Sequence, residues 1–124
     1  KQCLLSASSR GVIRAWHRHT KGQDDYLTVI EGSSLVVYID DNGIFHYHIL
    51  KADNMQVIRV PGNLWHGTKA LCPKDTYTIY HMNKLYDYEH PDEERLPYYT
   101  APPPLVPMGI TYPIPTTFPW EDFV

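Results

Sequence analysis

Two short stretches of the chain concentrate the side chains able to do chemistry. The first, GVIRAWHRHTKGQDDYLTVIEG from Gly11 to Gly32, carries His17 and His19 on alternate positions, with Asp25 shortly after them. Alternate residues of a strand share a face, so both imidazoles point the same way, and on a barrel that way can be inward. The second, PGNLWHG from Pro61 to Gly67, carries His66. Gathered in a barrel mouth, His17, His19, Asp25 and His66 make three imidazoles and a carboxylate, a set suited to a divalent transition metal. The same residue types also suit proton transfer without a cofactor. Abstracting a proton next to a ketone needs a base that is neutral near neutral pH, and histidine, with an unperturbed pKa of about 6.5, provides one. Re-protonation from the other face needs a separately placed donor, such as a tyrosine hydroxyl on a facing strand, and positioned donors can stabilise the enolate between the two steps.

Several other residues have two readings. His46 and His48 form a second HxH, but no acidic residue or proline-histidine segment follows at matching spacing, so they read as a strand-face pair. Trp16 and Trp65 precede His17 and His66 and could wall a sugar or simply pack in a core. Arg14, Arg18, Lys21 and Lys69 could form the basic rim that a diphosphate requires, while Asp92-Glu93-Glu94-Arg95 reads as a solvated loop.

The elements that must position these groups are strands. YLTVI (Tyr26 to Ile30), SLVVYID (Ser34 to Asp40), IFHYHIL (Ile44 to Leu50), MQVIRV (Met55 to Val60) and TYTIYHM (Thr76 to Met82) are rich in β-branched and aromatic residues. Turn signals separate them: Glu31-Gly32-Ser33, Asp41-Asn42-Gly43, Ala52-Asp53-Asn54, Pro61-Gly62-Asn63 and Cys72-Pro73-Lys74-Asp75. Many short strands at close spacing, with no amphipathic helix, predict an all-β sandwich or jelly roll. Composition shifts near residue 90: nine of the eleven prolines lie at or beyond Pro91, which forbids regular helix or central strand there. The expected division is a barrel over residues 1–90 and an extended proline-rich tail over 91–124. Tyr98, Tyr99, Tyr112, Phe118, Trp120 and Phe123 give that tail apolar area with which to dock on the barrel or on a partner subunit.

The spacing of Gly11, His17, His19, Asp25 and Gly32 resembles the first cupin motif, with Asp where Glu is usual, and Pro61 to His66 resembles the second. The order of features is more specifically similar to the dTDP-4-dehydrorhamnose 3,5-epimerase family. It runs through Arg14-Ala15-Trp16-His17, Val29-Ile30-Glu31-Gly32, the Pro61 to Gly67 segment, and Thr78-Ile79-Tyr80 followed by Tyr86, and covers roughly residues 11 to 95. YDYEHPDEERLPY (Tyr86 to Tyr98), Ile114-Pro115 and Pro119-Trp120 look like a branch of epimerase-like proteins. The resemblance implies a cupin-type double-stranded β-helix, that is, a jelly-roll barrel. It implies His17 as general base, Tyr80 as the acid on the opposite face, and Arg14, His19, His66 and Tyr86 as substrate-binding residues. It implies no cofactor, a nucleotide-sugar substrate and a homodimer. Two departures stand out: Asp25 falls where the family carries an enolate-stabilising lysine, and for the family's late base-orienting aspartate only Asp122 offers itself.

Three functions follow as expectations: a sugar-nucleotide epimerase or isomerase, a metal-dependent cupin enzyme using His17, His19, Asp25 and His66, and a non-catalytic sugar-binding cupin. The formal net charge of -3 offers no general attraction to nucleic acid or anionic lipid. Cys3 and Cys72 are too few for a disulfide framework, which favours the cytoplasm, and no apolar run reaches the ~20 residues that span a bilayer. A start at Lys1 suggests a fragment or a processed chain.

Overall fold

The computed structural model describes residues 1–100 and 117–124. Among them run β1 (Gln2–Ser8), β2 (Ile13–Arg18), β3 (Asp25–Glu31), β4 (Ser33–Ile39), β5 (Phe45–Lys51), β6 (Ile58–Val60), β7 (His66–Ala70), β8 (Thr76–Met82) and β9 (Glu94–Arg95). They form two antiparallel sheets, ordered β1-β8-β3-β6 and β5-β4-β7-β2-β9. The chain crosses between the sheets at almost every connection, which makes this the all-β jelly roll expected from the strand pattern. No helix among the described residues is long and apolar enough to cross a membrane.

Local chemistry explains the turns. Gly32 takes φ +79° between β3 and β4, and a Cβ there would sit 2.6 Å from the Asp75 carbonyl oxygen. Between β4 and β5, Asp40 Oδ1 accepts the amides of Asn42 and Ile44 at 2.9 Å each, and Gly43 takes φ +78°. This loop sets an unbroken register from Ser33↔Lys51 to Ile39↔Phe45.

The near-continuous apolar run of β4 reflects burial on both of its faces. Val36 turns inward to a cluster with Leu27, Val29, Leu50 and Val60 between the sheets. Leu35, Val37 and Ile39 turn outward to a second cluster with Trp16, Trp65 and Leu71, and the C-terminal Phe118 and Trp120 cover it. Lys69 Nζ fixes that cover by donating to the carbonyls of Trp120 at 2.7 Å and Phe123 at 2.6 Å. Burying Phe118 and Trp120 contributes about 1.5–3 kcal/mol each.

The strand pattern differs from expectation in places. Of the run Met55 to Val60 only Ile58–Val60 pairs, because Met55 and Val57, 62% and 63% exposed, have no sheet to pack on. The strands β1 and β7 were not foreseen. Their sequences, QCLLSAS and HGTKA, lack a β-branched and aromatic run, and they are strands because their neighbours β8 and β4 offer ladders to pair with. After residue 90, β9 pairs with β2 as an edge strand and Trp120–Asp122 forms a 3-10 turn rather than extended chain. Phe118 and Trp120 are buried, while Tyr98 and Tyr99 stay 44% and 66% exposed. The features read at Pro102 to Pro104, Tyr112 and Ile114-Pro115 lie outside the described residues.

Candidate active site

Arg14 and His17 are three positions apart and would face opposite sides of a regular strand. In the β2–β7 pairing Arg14 opposes Thr68 while His17 opposes His66, so three steps along β2 match two along β7. This bulge resets the alternation. Arg14 and His17 both turn to the inner face, and Trp16 turns outward. Gly67 lies opposite the extra residue, and a Cβ there would come 2.3 Å from Ala15 Cβ and 3.0 Å from the Arg14 carbonyl oxygen. Only glycine lets the two strands approach this closely.

On the other sheet the register sets Tyr80 between Leu4 of β1 and Leu27 of β3, facing inward. Between the sheets opens a cavity of about 940 Å³. Arg14, His17, His19, Asp25, Tyr80 and Tyr86 all line it. His66 does not reach the cavity surface. Its ring sits behind, edge-on to His17 at 4.3 Å between centroids and 5.2 Å from the His19 ring.

The electrostatics separate the histidines. His19 Nδ1 lies 2.6 Å from the Asp92 carbonyl and Nε2 lies 3.1 Å from Asp25 Oδ2. Both partners are acceptors, an arrangement that favours the protonated ring. Burial opposes this charge, but the Asp25 and Asp92 hydrogen bonds prevail and raise its pKa. Burial likewise opposes the Asp25 carboxylate, yet His19 and the Gln23 amide, donating to Oδ1 at 2.9 Å, hold its pKa below the usual range. His17 moves the other way: desolvation first, then the neighbouring His66 and His19, push its pKa well down. Desolvation lowers His66 to about 4, and its Nδ1 donates to the Leu64 carbonyl at 2.8 Å. Desolvation raises the Tyr80 hydroxyl, with Arg14, Thr68 and Ser6 acting against it. A neutral imidazole and a protonated phenol thus face one space from opposite sheets.

Other residues depart from their sequence reading. Asp92 is no solvated loop residue. Its carboxylate accepts the amides of Thr20 at 2.9 Å, Lys21 at 2.8 Å and Gln23 at 3.1 Å, which ties the segment before β9 to the loop after His19. Nothing in the run Asp92 to Arg95 marks one carboxylate as a loop clamp, although Asp is the usual residue for capping successive amides. Of the four cations read as a basic rim, only Arg14 lines the cavity. Lys69 faces the outer cluster, while Arg18 bonds Glu94 at 2.8 Å and lies 4.7 Å over the Trp65 ring. Arg95 lines the cavity and was missed. Trp65, 4% exposed, is packed rather than offered to a ligand, while Trp16, 1% exposed, packs in the outer cluster and also borders the cavity. His46 bonds Asp40 at 2.7 Å and His48 bonds Gln56 at 3.0 Å on the exposed β5. Asp122 is exposed in the C-terminal turn, whose Trp120 packs in the outer cluster, and it does not line the cavity.

No family model matches the chain. Individual relatives do. The chain is 44% identical over 94 residues to a probable low-salt glycan biosynthesis epimerase, Agl13, of Haloferax volcanii, covering 71% of this chain and 60% of that protein. It is 31% identical over 103 residues to the spore coat polysaccharide biosynthesis protein SpsL of Bacillus subtilis, covering 78% of this chain and 68% of that one. The chain thus spans about 60% to two thirds of these relatives' length. Among solved structures, the dTDP-4-dehydrorhamnose 3,5-epimerase of Sulfolobus tokodaii superposes with a TM-score of 0.68 at 26% identity, over 79% of this chain and 58% of that one. This likeness in sequence and fold makes the chain a member of the dTDP-4-dehydrorhamnose 3,5-epimerase (RmlC-like) family of cupins.

Proposed function

We propose that the protein epimerises a nucleotide-linked 4-keto-6-deoxy sugar, of the thymidine-diphosphate type, at C3, C5 or both. His17 takes the proton from the carbon next to the ketone, the electrons move onto the carbonyl oxygen as an enolate, and Tyr80 delivers a proton to the same carbon from the other side. The observation that carries this reading is that His17 and Tyr80 line one cavity from opposing sheets. A base and an acid on opposite sides of a planar enolate are what inversion requires. Arg14 lies beside the Tyr80 hydroxyl and supplies positive charge toward the sugar and its diphosphate. His19, His66 and Tyr86 complete the binding surface, with His66 acting from beneath His17. The steps as drawn use side chains alone.

We further propose a homodimer in the cytoplasm. The exposed Leu5, Ile44 and Tyr47, 65%, 56% and 57% accessible on or beside edge strands, support the dimer. The free, exposed Cys3 and Cys72 support a reducing compartment.

Incubation with a thymidine-diphosphate 4-keto sugar in deuterated water tests the mechanism. Deuterium enters the inverted carbon with the unaltered protein, and His17→Ala abolishes entry. Tyr80→Phe keeps exchange but loses inversion, because abstraction survives while the far-side donor is gone. If the unaltered protein exchanges no deuterium with any such sugar while still binding it, the chain is a sugar-binding cupin and the epimerase reading fails.

A further inference from the structure

Inversion leaves two protons out of place: His17 ends with one too many and Tyr80 with one too few. His17 lines the cavity and discharges into it. Tyr80 packs against the inner apolar cluster of Leu27, Val29, Val36, Leu50 and Val60, so its hydroxyl depends on the few polar groups around it. It shares side-chain hydrogen bonds with Thr68 and Ser6 and stands beside Arg14. The strand register explains this gathering. Thr68 opposes Val36 of β4 on one side and Arg14 of β2 on the other, and directly opposed residues share a face, so Thr68 turns inward with them. Leu4 of β1 is the direct partner of Tyr80, and Ser6, two positions along, lies on the same inner face and lines the cavity. Arg14 Nη2 donates to the carbonyl of Ala7, next to Ser6, at 3.4 Å. A valine at 68 and an alanine at 6 would pack as well beside this apolar cluster, so the two hydroxyls call for a reason beyond packing. The strand β1 is the last in its sheet, and Ser6 therefore joins Tyr80 to an edge that no strand covers among the described residues.

We propose that Thr68 and Ser6 are positioning residues for the acid of the reaction, Thr68 aiming the Tyr80 hydroxyl and Ser6 returning a proton to it from solvent at the β1 edge. The proposal rests on the epimerase reading and deepens it. Once Tyr80 has protonated the sugar carbon it is a phenolate. The Ser6 O–H bond breaks and its proton goes to the phenolate oxygen, while the Ser6 oxygen takes a proton from solvent. His17 gives the proton it abstracted to solvent, so the cycle closes with no net proton gained or lost. In the interval the Thr68 and Ser6 hydroxyls donate to the phenolate oxygen, and the Arg14 charge stands beside it. Thr68 reaches Tyr80 from the opposite sheet, so it also fixes the distance across which acid and base face each other.

Incubation with a thymidine-diphosphate 4-keto sugar in deuterated water, with deuterium entry and inversion both followed by NMR, tests the relay. Ser6→Ala and Thr68→Val lower the ratio of inversion to exchange about 10-fold, because abstraction by His17 goes on while the acid is misaimed or slowly recharged. Ser6→Thr and Thr68→Ser keep the hydroxyls and bring the ratio back to within about threefold of the parent. In a Tyr80→Phe background the Ser6 and Thr68 changes add nothing further. Thr68→Val keeps the side-chain volume, which covers the case in which a change on β1 disturbs folding. A second readout needs no substrate: in protein carrying carbon-13 at the tyrosine Cζ, the Tyr80 titration moves to higher pH in Ser6→Ala and in Thr68→Val. The groups that face Tyr80, Arg14 of β2, Asp25 of β3 and His17 across the cavity, are the same in both variants. Inversion and exchange falling together in the variants marks a purely structural role and overturns the proposal, and so does a Tyr80 titration equal to the parent's. An unaltered protein that inverts the sugar, with variants that keep its ratio, overturns the relay and leaves the epimerase reading intact. An unaltered protein that binds the sugar and exchanges no deuterium rejects that reading, and the relay with it.

Discussion

Replacing Gly67 with alanine probes whether the β2 bulge is what brings Arg14 and His17 to one face. The added Cβ meets Ala15 Cβ at 2.3 Å, and Ala15 Cα and the Arg14 carbonyl oxygen at 3.0 Å. Carbon atoms rest at about 3.5–4.0 Å, so β2 and β7 must part by roughly 1.2 Å or more. Two of the three obstructing atoms are backbone and cannot rotate away. The cost therefore falls near the top of the 1–3 kcal/mol range for overpacking, about 3 kcal/mol. For a chain of this size that lowers the melting temperature by roughly 10 °C. The site suffers as well, since a displacement of about 1 Å at a catalytic group can cost around 100-fold in turnover. Urea denaturation followed by circular dichroism measures the first effect, and deuterium exchange into the keto sugar measures the second. Ala15→Gly removes the closest obstruction, so the Gly67→Ala/Ala15→Gly double variant should regain about half the lost stability, with a coupling of 1–2 kcal/mol. A Gly67→Ala protein within about 0.5 kcal/mol of the parent, or a double variant showing no coupling, would falsify this account of the bulge.

Lys69→Met removes both hydrogen bonds to the C-terminal carbonyls and should cost about 1–3 kcal/mol, with faster amide hydrogen exchange in residues 117–124 and little change around Tyr80. Asp92→Ala leaves the amides of Thr20, Lys21 and Gln23 without their acceptor. A loss of about 2 kcal/mol in urea denaturation and faster proteolysis near residue 92 should follow, with Asp92→Asn partly restoring both. Asp40 carries a pH dependence. Burial would raise its carboxyl, but the His46 bond and the amides of Ile44 and Asn42 prevail and hold its pKa below the usual value. Its folded pKa lies under its unfolded one, so its stabilisation is complete above about pH 4 and is lost as pH falls through the folded value. Urea midpoints measured down to about pH 2.5 should fall less steeply for Asp40→Asn than for the parent, and parallel curves would refute the assignment.

The strands most open to reading were those whose own side chains decide their conformation. The β-branched and aromatic runs of β3, β4, β5 and β8, with glycine or Asp-Asn-Gly between them, could hardly be anything else. By contrast, β1 and β7 take their conformation from the ladders they join, and their sequences, without a β-branched and aromatic run, carry no such signal. The HxH spacing placed His17 and His19 on one face, as the structure has them. The alternation rule alone would have turned Arg14 to the other side. What corrects it is a pairing between Ala15 and Gly67, residues distant in sequence, and its only trace in the chain is a glycine inside a strand. Direction was equally hidden for the cations. Lys69 reads like any surface lysine until the C-terminal carbonyls it holds are in place, and Asp92 is one of several neighbouring carboxylates until the Thr20 to Gln23 amides converge on it.

Strand alternation also divides each tryptophan–histidine dipeptide across its sheet. Trp16 precedes His17 and Trp65 precedes His66, yet both indoles pack on the back of the sheet with Trp120, whose ring lies 5.2 Å from that of Trp16. All three tryptophans of the chain are in this one cluster. The protein therefore has an intrinsic optical reporter wired to its pocket by single peptide units. A shift of the His17 or His66 backbone on ligand entry moves an indole, and release of the Phe118 to Phe123 cover exposes the whole group to water. Emission intensity and emission wavelength would thus give separate signals for occupancy in front and detachment behind, without any label.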